Sequence, residues 1–335
     1  MKKLMFLSLA VICLSQSCKE SDKSYLDIHN TQLSSKTNGT EGSWIRKADL
    51  SMSIGRSFTV GFSIGDKGYI GTGAANDDAQ QDFWEYDPKK DSWTQKADFA
   101  GLPRTSAVGF SIGNKGYIGT GYNNDNRGVY LKDFWQYNPD KNCWTRKADF
   151  KGTARYSAIG LNIGDKGYIG TGNVMNAETS DFWEYNPKTN AWFRKADFPG
   201  GERSSATAFS IGTKGYLGTG VGTGTDHKDF WEYNPTTDSW AKKADFGGSE
   251  RRYAASFSLE GLGYIGTGLF NSTTDQKDLW EYNPIINTWV QKADLVGEAR
   301  SAATGFSVGN KGYIGFGFGS EIYNDLWQFS RGSGI

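Results

Sequence analysis

The chain repeats itself, and the repeat leaves few folds open. The string Lys-Gly-Tyr-Ile-Gly-Thr-Gly occupies Lys67–Gly73, Lys115–Gly121 and Lys166–Gly172, with close copies beginning at Lys214 and Lys311 and another at Leu262–Gly268. An Asp-(Phe/Leu)-Trp triplet places tryptophans at Trp84, Trp135, Trp183, Trp231, Trp280 and Trp327. A second series precedes a Lys-Ala-Asp, as Trp44, Trp93, Trp144, Trp192, Trp240 and Trp289, and the two series use all 12 tryptophans. A period of about fifty residues built from short strands reads as a β-propeller.

Each unit resolves into four strands. In the second, strand a runs through Ser106–Ile112, alternating small and large residues as a crowded axis requires, and Gly113-Asn114 supplies a tight turn into strand b. Strand c, Asp133 to Tyr137, is apolar or aromatic on both faces, as a sheet packed between two neighbours must be. Asn138-Pro139 opens the next turn, and outer strand d begins at Cys143. The first Trp-x-x-Lys-Ala-Asp, Trp44–Asp49, has no strands a, b or c before it, while the last unit has a, b and c but no d. The c–d prolines Pro88, Pro139, Pro187, Pro235 and Pro284 have no counterpart in that last unit. The expectation is an all-β, six-bladed propeller whose N-terminal outer strand, Trp44–Lys47, completes the blade begun near Arg300.

These residues resemble the Kelch-repeat family, whose units pair a Gly-rich strand b with a downstream Tyr and Trp at this spacing. The resemblance covers residues 43–330, with Gly71-Thr72-Gly73 standing where the family has adjacent glycines. It also implies likeness to bacterial Kelch proteins labelled by analogy with galactose oxidase. That enzyme type holds copper with two Tyr, two His and a Cys cross-linked to one Tyr. This chain has two His, of which His29 precedes the repeats, leaving His227 and the single repeat cysteine Cys143. Copper favours imidazole and thiolate ligands, so copper oxidation is rejected. The same count excludes zinc sites and Cys–His or Ser–His nucleophiles. No cofactor or metal is expected; Asn76-Asp77-Asp78 and Asn123–Asn126 read as turn formers.

Met1-Lys2-Lys3 and the apolar run Leu4–Leu14 match a secretory signal. Ser15-Gln16-Ser17-Cys18 resembles a bacterial lipobox, which implies lipid attachment at Cys18. Residues 1–17 are therefore expected to be a leader, 18–42 a polar tether, 43–330 the propeller and 331–335 a tail. The protein is expected to be a monomer, exported and lipid-anchored in the outer membrane at the cell surface, with the periplasm as the alternative. With 37 basic against 37 acidic residues, the chain carries no electrostatic footprint for nucleic acid.

Positions common to every unit serve packing; positions that differ serve an asymmetric ligand. Arg56, Arg104, Arg155, Arg203, Arg251 and Arg300 recur before strand a, as do Asp82, Asp133, Asp181, Asp229, Asp278 and Asp325 before strand c. The preferred reading pairs them within the scaffold. The alternative is a ring of guanidiniums at one mouth of the channel, suited to carboxylate or acidic-sugar ligands. The variable b–c loops and the residues after the ring arginines share one face, and offer Tyr122, Arg127, Tyr130, Tyr156, Arg252, Phe270 and Tyr323 as contacts for a glycan or protein. The leading expectation is a non-enzymatic binding module. The alternatives are a cofactor-free mutarotase like the sialic-acid mutarotases that resemble Kelch proteins, and a purely structural surface protein.

Overall fold

The computed structural model describes residues 42–50, 55–125, 128–175 and 177–332. The leader, Cys18, nearly all of the tether and Arg127 lie outside the described residues. Six four-stranded antiparallel sheets form the blades of a β-propeller. Strands a to d of blade 1 are Val60–Ile64, Lys67–Gly71, Phe83–Asp87 and Ser92–Gln95; those of blade 2 are Val108–Ile112, Lys115–Gly119, Phe134–Asn138 and Cys143–Arg146. Blade 3 comprises Ile159–Ile163, Lys166–Gly170, Phe182–Asn186 and Ala191–Lys195, and blade 4 Thr207–Ile211, Lys214–Gly218, Phe230–Asn234 and Ser239–Lys242. Blade 5 comprises Ala255–Leu259, Leu262–Gly266, Leu279–Asn283 and Thr288–Lys292. Blade 6 takes strands a, b and c from Thr304–Val308, Lys311–Gly315 and Leu326–Ser330, and its outer strand is Ser43–Lys47 from the other end of the chain. The closing register pairs Trp44 with Phe329 and Arg46 with Trp327. The strand-count expectation is correct.

The period-two pattern explains the blades. In strand a of blade 1, Val60, Phe62 and Ile64 are buried while Gly61 and Ser63 face the axis. Gly116 in strand b permits close stacking, because a Cβ there would lie 2.5 Å from the Phe62 ring of the preceding blade. Aromatics fill each seam: Phe83 meets Tyr137 with ring centroids 4.8 Å apart and Trp144 at 5.0 Å, both near-perpendicular, the geometry the ring quadrupole favours.

Polar atoms in the seams are paired in a repeating way. The indole N–H of each strand-d tryptophan donates to the carbonyl of the preceding blade's Lys-Ala-Asp alanine, as Trp144 to Ala97 at 3.0 Å and Trp192 to Ala148 at 3.0 Å. Trp44 makes the same bond to Ala293 at 2.9 Å, and Trp93 to Ala48 at 2.8 Å, so the closure carries the bonds of an interior seam. The strand-c tyrosines Tyr86, Tyr137, Tyr185, Tyr233 and Tyr282 donate to Asp91, Asn142, Asn190, Asp238 and Asn287 in their own c–d turns. Blade 6 has no c–d turn, and its residue at that position is Phe329, which has no hydroxyl to satisfy.

A second closed circuit lies at the axis on the face bearing the b–c and d–a loops. Ser106 N–H donates to the Phe58 carbonyl, Ser157 to Ser106, Ser205 to Ser157, Tyr253 to Ser205, Ala302 to Tyr253 and Phe58 to Ala302. All six residues have positive φ, between 50° and 56°. The ring ties every blade to both neighbours and fixes the diameter of the mouth.

Trp44 is 8% exposed and its blade-3 counterpart Trp192 5%. Trp44→Ala should therefore destabilise the fold by about 3–5 kcal/mol, as Trp192→Ala should, measured by urea denaturation. A loss below about 1 kcal/mol for Trp44 alone contradicts closure by this strand.

Candidate site at the mouth of the propeller

The ring arginines do not face the channel. Arg104, Arg155, Arg203, Arg251 and Arg300 are 0% exposed and Arg56 is 2% exposed. Arg104 donates from Nη1 to Asp133 Oδ1 at 2.7 Å and from Nη2 to Oδ2 at 2.8 Å, and again from Nη1 to the Thr120 carbonyl at 2.8 Å. Trp135 Nε1 donates to the same carboxylate at 2.7 Å. The other five units pair Arg56 with Asp82, Arg155 with Asp181, Arg203 with Asp229, Arg251 with Asp278 and Arg300 with Asp325. A phenyl ring lies beside the guanidinium in blades 2 to 5, for example Phe99 at 4.6 Å from Arg104. In blade 6 the corresponding residue is Leu295, and Tyr323 supplies the ring at 4.1 Å from Arg300. The preferred reading of the six arginines as scaffold pairs therefore holds, and its alternative, guanidiniums open to a carboxylate or acidic-sugar ligand, does not. One expected ligand contact is corrected: Tyr323, 7% exposed, is part of that scaffold.

The remaining candidates converge on the mouth. Tyr122, Tyr130 and Tyr156 form a triangle with centroid separations of 5.5, 5.4 and 5.6 Å, all three half-buried. The triangle is set by the b–c hairpin of blade 2, where Tyr122 pairs with Tyr130, and by the bridge from Thr105 to Tyr122. Gly128, at φ 73°, lets the Tyr122 phenol pass, since a Cβ there would lie 1.9 Å from its oxygen. Burial pushes the Tyr156 phenol upward, with Tyr130, Tyr253, Tyr122 and Glu178 adding to the effect, so at neutral pH it is a hydrogen-bond donor. Arg252 donates from Nε to Asp226 Oδ1 at 2.7 Å and from Nη2 to Ser272 Oγ at 3.0 Å, which fixes it across the seam between blades 4 and 5. Phe270 is half-buried in the b–c hairpin of blade 5.

The seams follow one rule: the last residue of a b–c hairpin meets the residue after the next blade's ring arginine. That rule puts Tyr130 against Tyr156, Asp226 against Arg252 and Asp275 beside Ser301. Burial pushes the Asp275 carboxyl up, against the opposing pull of the Ser301 hydroxyl. His227, on the same face, is held low by burial and then by the Arg203 charge, so it is neutral at neutral pH.

The residue directly after each ring arginine is not the one nearest the axis. The next residue carries the axial hydrogen-bonded ring, and there Phe58 and Tyr253 replace the Ser and Ala found in the other four blades. An aromatic residue at positive φ is a local outlier that the surrounding structure must impose, and such outliers cluster at functional sites. Phe58 packs edge-on to Tyr253 at 5.2 Å and lies 5.8 Å from Phe318. Aligning the six units at that position would have found both. Below the ring, Gly61, Gly109, Gly160, Ala208, Ser256 and Gly305 line an axial cavity of about 130 Å³. That volume is too small for more than a few waters, so the axis below the ring does not hold a sizeable ligand. Among the described residues there is no cluster of three or more His, Cys, Asp or Glu that could hold a metal ion. Cys143 begins the outer strand of blade 2, and His227 belongs to a b–c loop.

No family model matches the sequence, and no curated protein matches it. Among solved structures, one titled "Structure of YjhT" is similar with a TM-score of 0.72 and 16% identity, over 82% of this chain and 95% of that one. The likeness is one of fold, and the class of protein is thereby fixed as a six-bladed β-propeller.

For Asp133, Asp181 and Asp229, burial by itself pushes the carboxyl up, but the arginine hydrogen bond and charge outweigh it and hold the group below the usual carboxylate range. Each then contributes stability that is complete above the unfolded value of about 4 and is lost as pH falls through the folded value. The melting temperature at constant ionic strength should drop as pH is lowered below about 4. A flat profile from pH 5 to 2.5 contradicts the pairing.

Proposed function

We propose that this protein is a non-catalytic glycan-binding module that meets its ligand on the face of the b–c and d–a loops. One observation carries the reading: half-buried aromatic rings from five different blades (Tyr122, Tyr130, Tyr156, Tyr253, Phe58 and Phe318) gather at one mouth, beside hydroxyls and carboxylates. A sugar ring presents an apolar C–H face ringed by hydroxyls. A rigid aromatic surface buries the first at small entropic loss, and Tyr156, Glu178 and Ser301 suit the second.

An acidic-sugar mutarotase draws its support from free guanidiniums, and the six ring arginines are engaged within their blades. Arg252 is likewise tied to Asp226 and Ser272. The repeat pattern supports membership of the Kelch class, and the lipobox-like Ser17-Cys18 supports display from a lipid anchor on the outer membrane, at the cell surface.

Binding to a glycan array should fall at least about tenfold in the Tyr156→Ala/Tyr253→Ser variant, as expected for paired aromatic anchors, with the melting curve retained. Equal binding by the variant and the parent contradicts this choice of face.

A further inference from the structure

Two clefts open on the flank of the same face, at equivalent places on blades 2 and 6, with volumes of about 510 and 430 Å³. Their shape and part of their lining come from the repeat, Trp327 and Arg46 in blade 6 matching Trp135 and Arg146 in blade 2; the difference lies in the loop residues. In blade 6 the walls include Glu298, Glu321 and the buried Tyr323. In blade 2 they include Leu102, Pro103, Tyr130, Trp135, Arg146 and Asp149. Leu102 is 54% exposed, an uncovered apolar side chain facing partly exposed Tyr130 and Trp135. Arg146 lies 5.9 Å over the Trp135 ring and donates to Asp149 from Nε at 3.2 Å and from Nη2 at 2.9 Å. Its polar end is thus oriented before any ligand arrives, and among the described residues no acceptor takes Nη1.

Tyr130 belongs to both places. Its ring is one corner of the tyrosine triangle at the mouth and one wall of the blade 2 cleft. The mouth and the cleft are therefore two stations on one track that runs outward over blade 2. Apolar faces recur along it, Tyr156 and Tyr122 first, then Tyr130, then Leu102 with Pro103, and hydrogen-bonding groups flank both ends.

We infer that the ligand is a neutral oligosaccharide of two or more units, its chain running from the axial mouth across Tyr130 into the cleft bounded by Leu102, Trp135, Arg146 and Asp149. This rests on the glycan reading above and deepens it. A single sugar occupies only one station, so affinity should grow with chain length until the cleft is filled.

The test is titration calorimetry of the full chain with glucose and its β-1,4- and α-1,4-linked oligomers, and with N-acetylglucosamine and its β-1,4-linked oligomers, each from one to six units. In at least one series the tetrasaccharide should bind about tenfold or more tighter than the monosaccharide, a step of about 1.4 kcal/mol. The Leu102→Asp/Arg146→Ala variant should reduce that gain to less than about threefold. A length-independent affinity in every series that binds overturns the extended track and leaves a one-sugar mouth standing. A gain that survives the double substitution overturns the route over blade 2. Failure of every series to bind overturns the glycan reading together with this one.

Discussion

The buried arginine–aspartate pair is the interaction on which the rest depends. It joins the residue that leads into strand a to the residue that leads into strand c, and so locks the d–a loop to the b–c loop within each blade. Arg104 reaches Asp133 through two parallel hydrogen bonds and a backbone carbonyl besides, with Phe99 beside the guanidinium and Trp135 on the carboxylate. Burying charges is costly, and removing one partner of such a pair costs about 3–5 kcal/mol because the other is left unpaired. The pair therefore recurs as a unit, six times, with Tyr323 standing in for the missing phenyl ring in blade 6.

Rigidity beneath the mouth leaves the mouth itself free to vary. The axial circuit of backbone hydrogen bonds consumes the N–H of all six ring residues, so their side chains carry none of the closure. Blade 2 can then bear Tyr122 and Tyr130, blade 3 Tyr156, and blades 1 and 5 Phe58 and Tyr253, over a backbone that is nearly the same in each. The resulting surface is asymmetric on a nearly symmetric frame. It carries one aromatic group over blades 2 and 3 and another from blades 1, 5 and 6, with the Asp226–Arg252 pair and Asp275 on the side of blades 4 and 5.

How much of this the sequence revealed follows from the range of each signal. Six blades and the borrowed outer strand were legible because they rest on counting: Trp44 precedes any strand c, and the last unit ends without a strand d. The absence of a c–d proline in that unit pointed the same way, and Phe329 in place of tyrosine repeats the message at a second position. The ring arginines were ambiguous because recurrence shows that a residue matters to the frame without showing where its charge points. Their pairing with Asp133 and its counterparts is the preferred reading of the sequence, but the in-plane two-bond geometry that leaves no guanidinium for a ligand is a property of the fold alone. Tyr323 misled because a loop tyrosine in sequence is a buried ring in space. Phe58 and Tyr253 were missed because φ is invisible in the sequence, and nothing local announces that one residue beyond the arginine turns into the left-handed region.

The mouth is thus a set of aromatic side chains held at fixed separation by a frame that does not need them. Hydrogen exchange of the full chain, with and without a pool of neutral glucose and N-acetylglucosamine oligosaccharides, tests that account most directly. Added protection should concentrate in residues 56–58, 122–125, 128–130, 156–158 and 251–253, while the turns at 65–67 and 139–142 on the opposite face stay unchanged. Protection confined to that opposite face, or none on either face at saturating sugar, contradicts it.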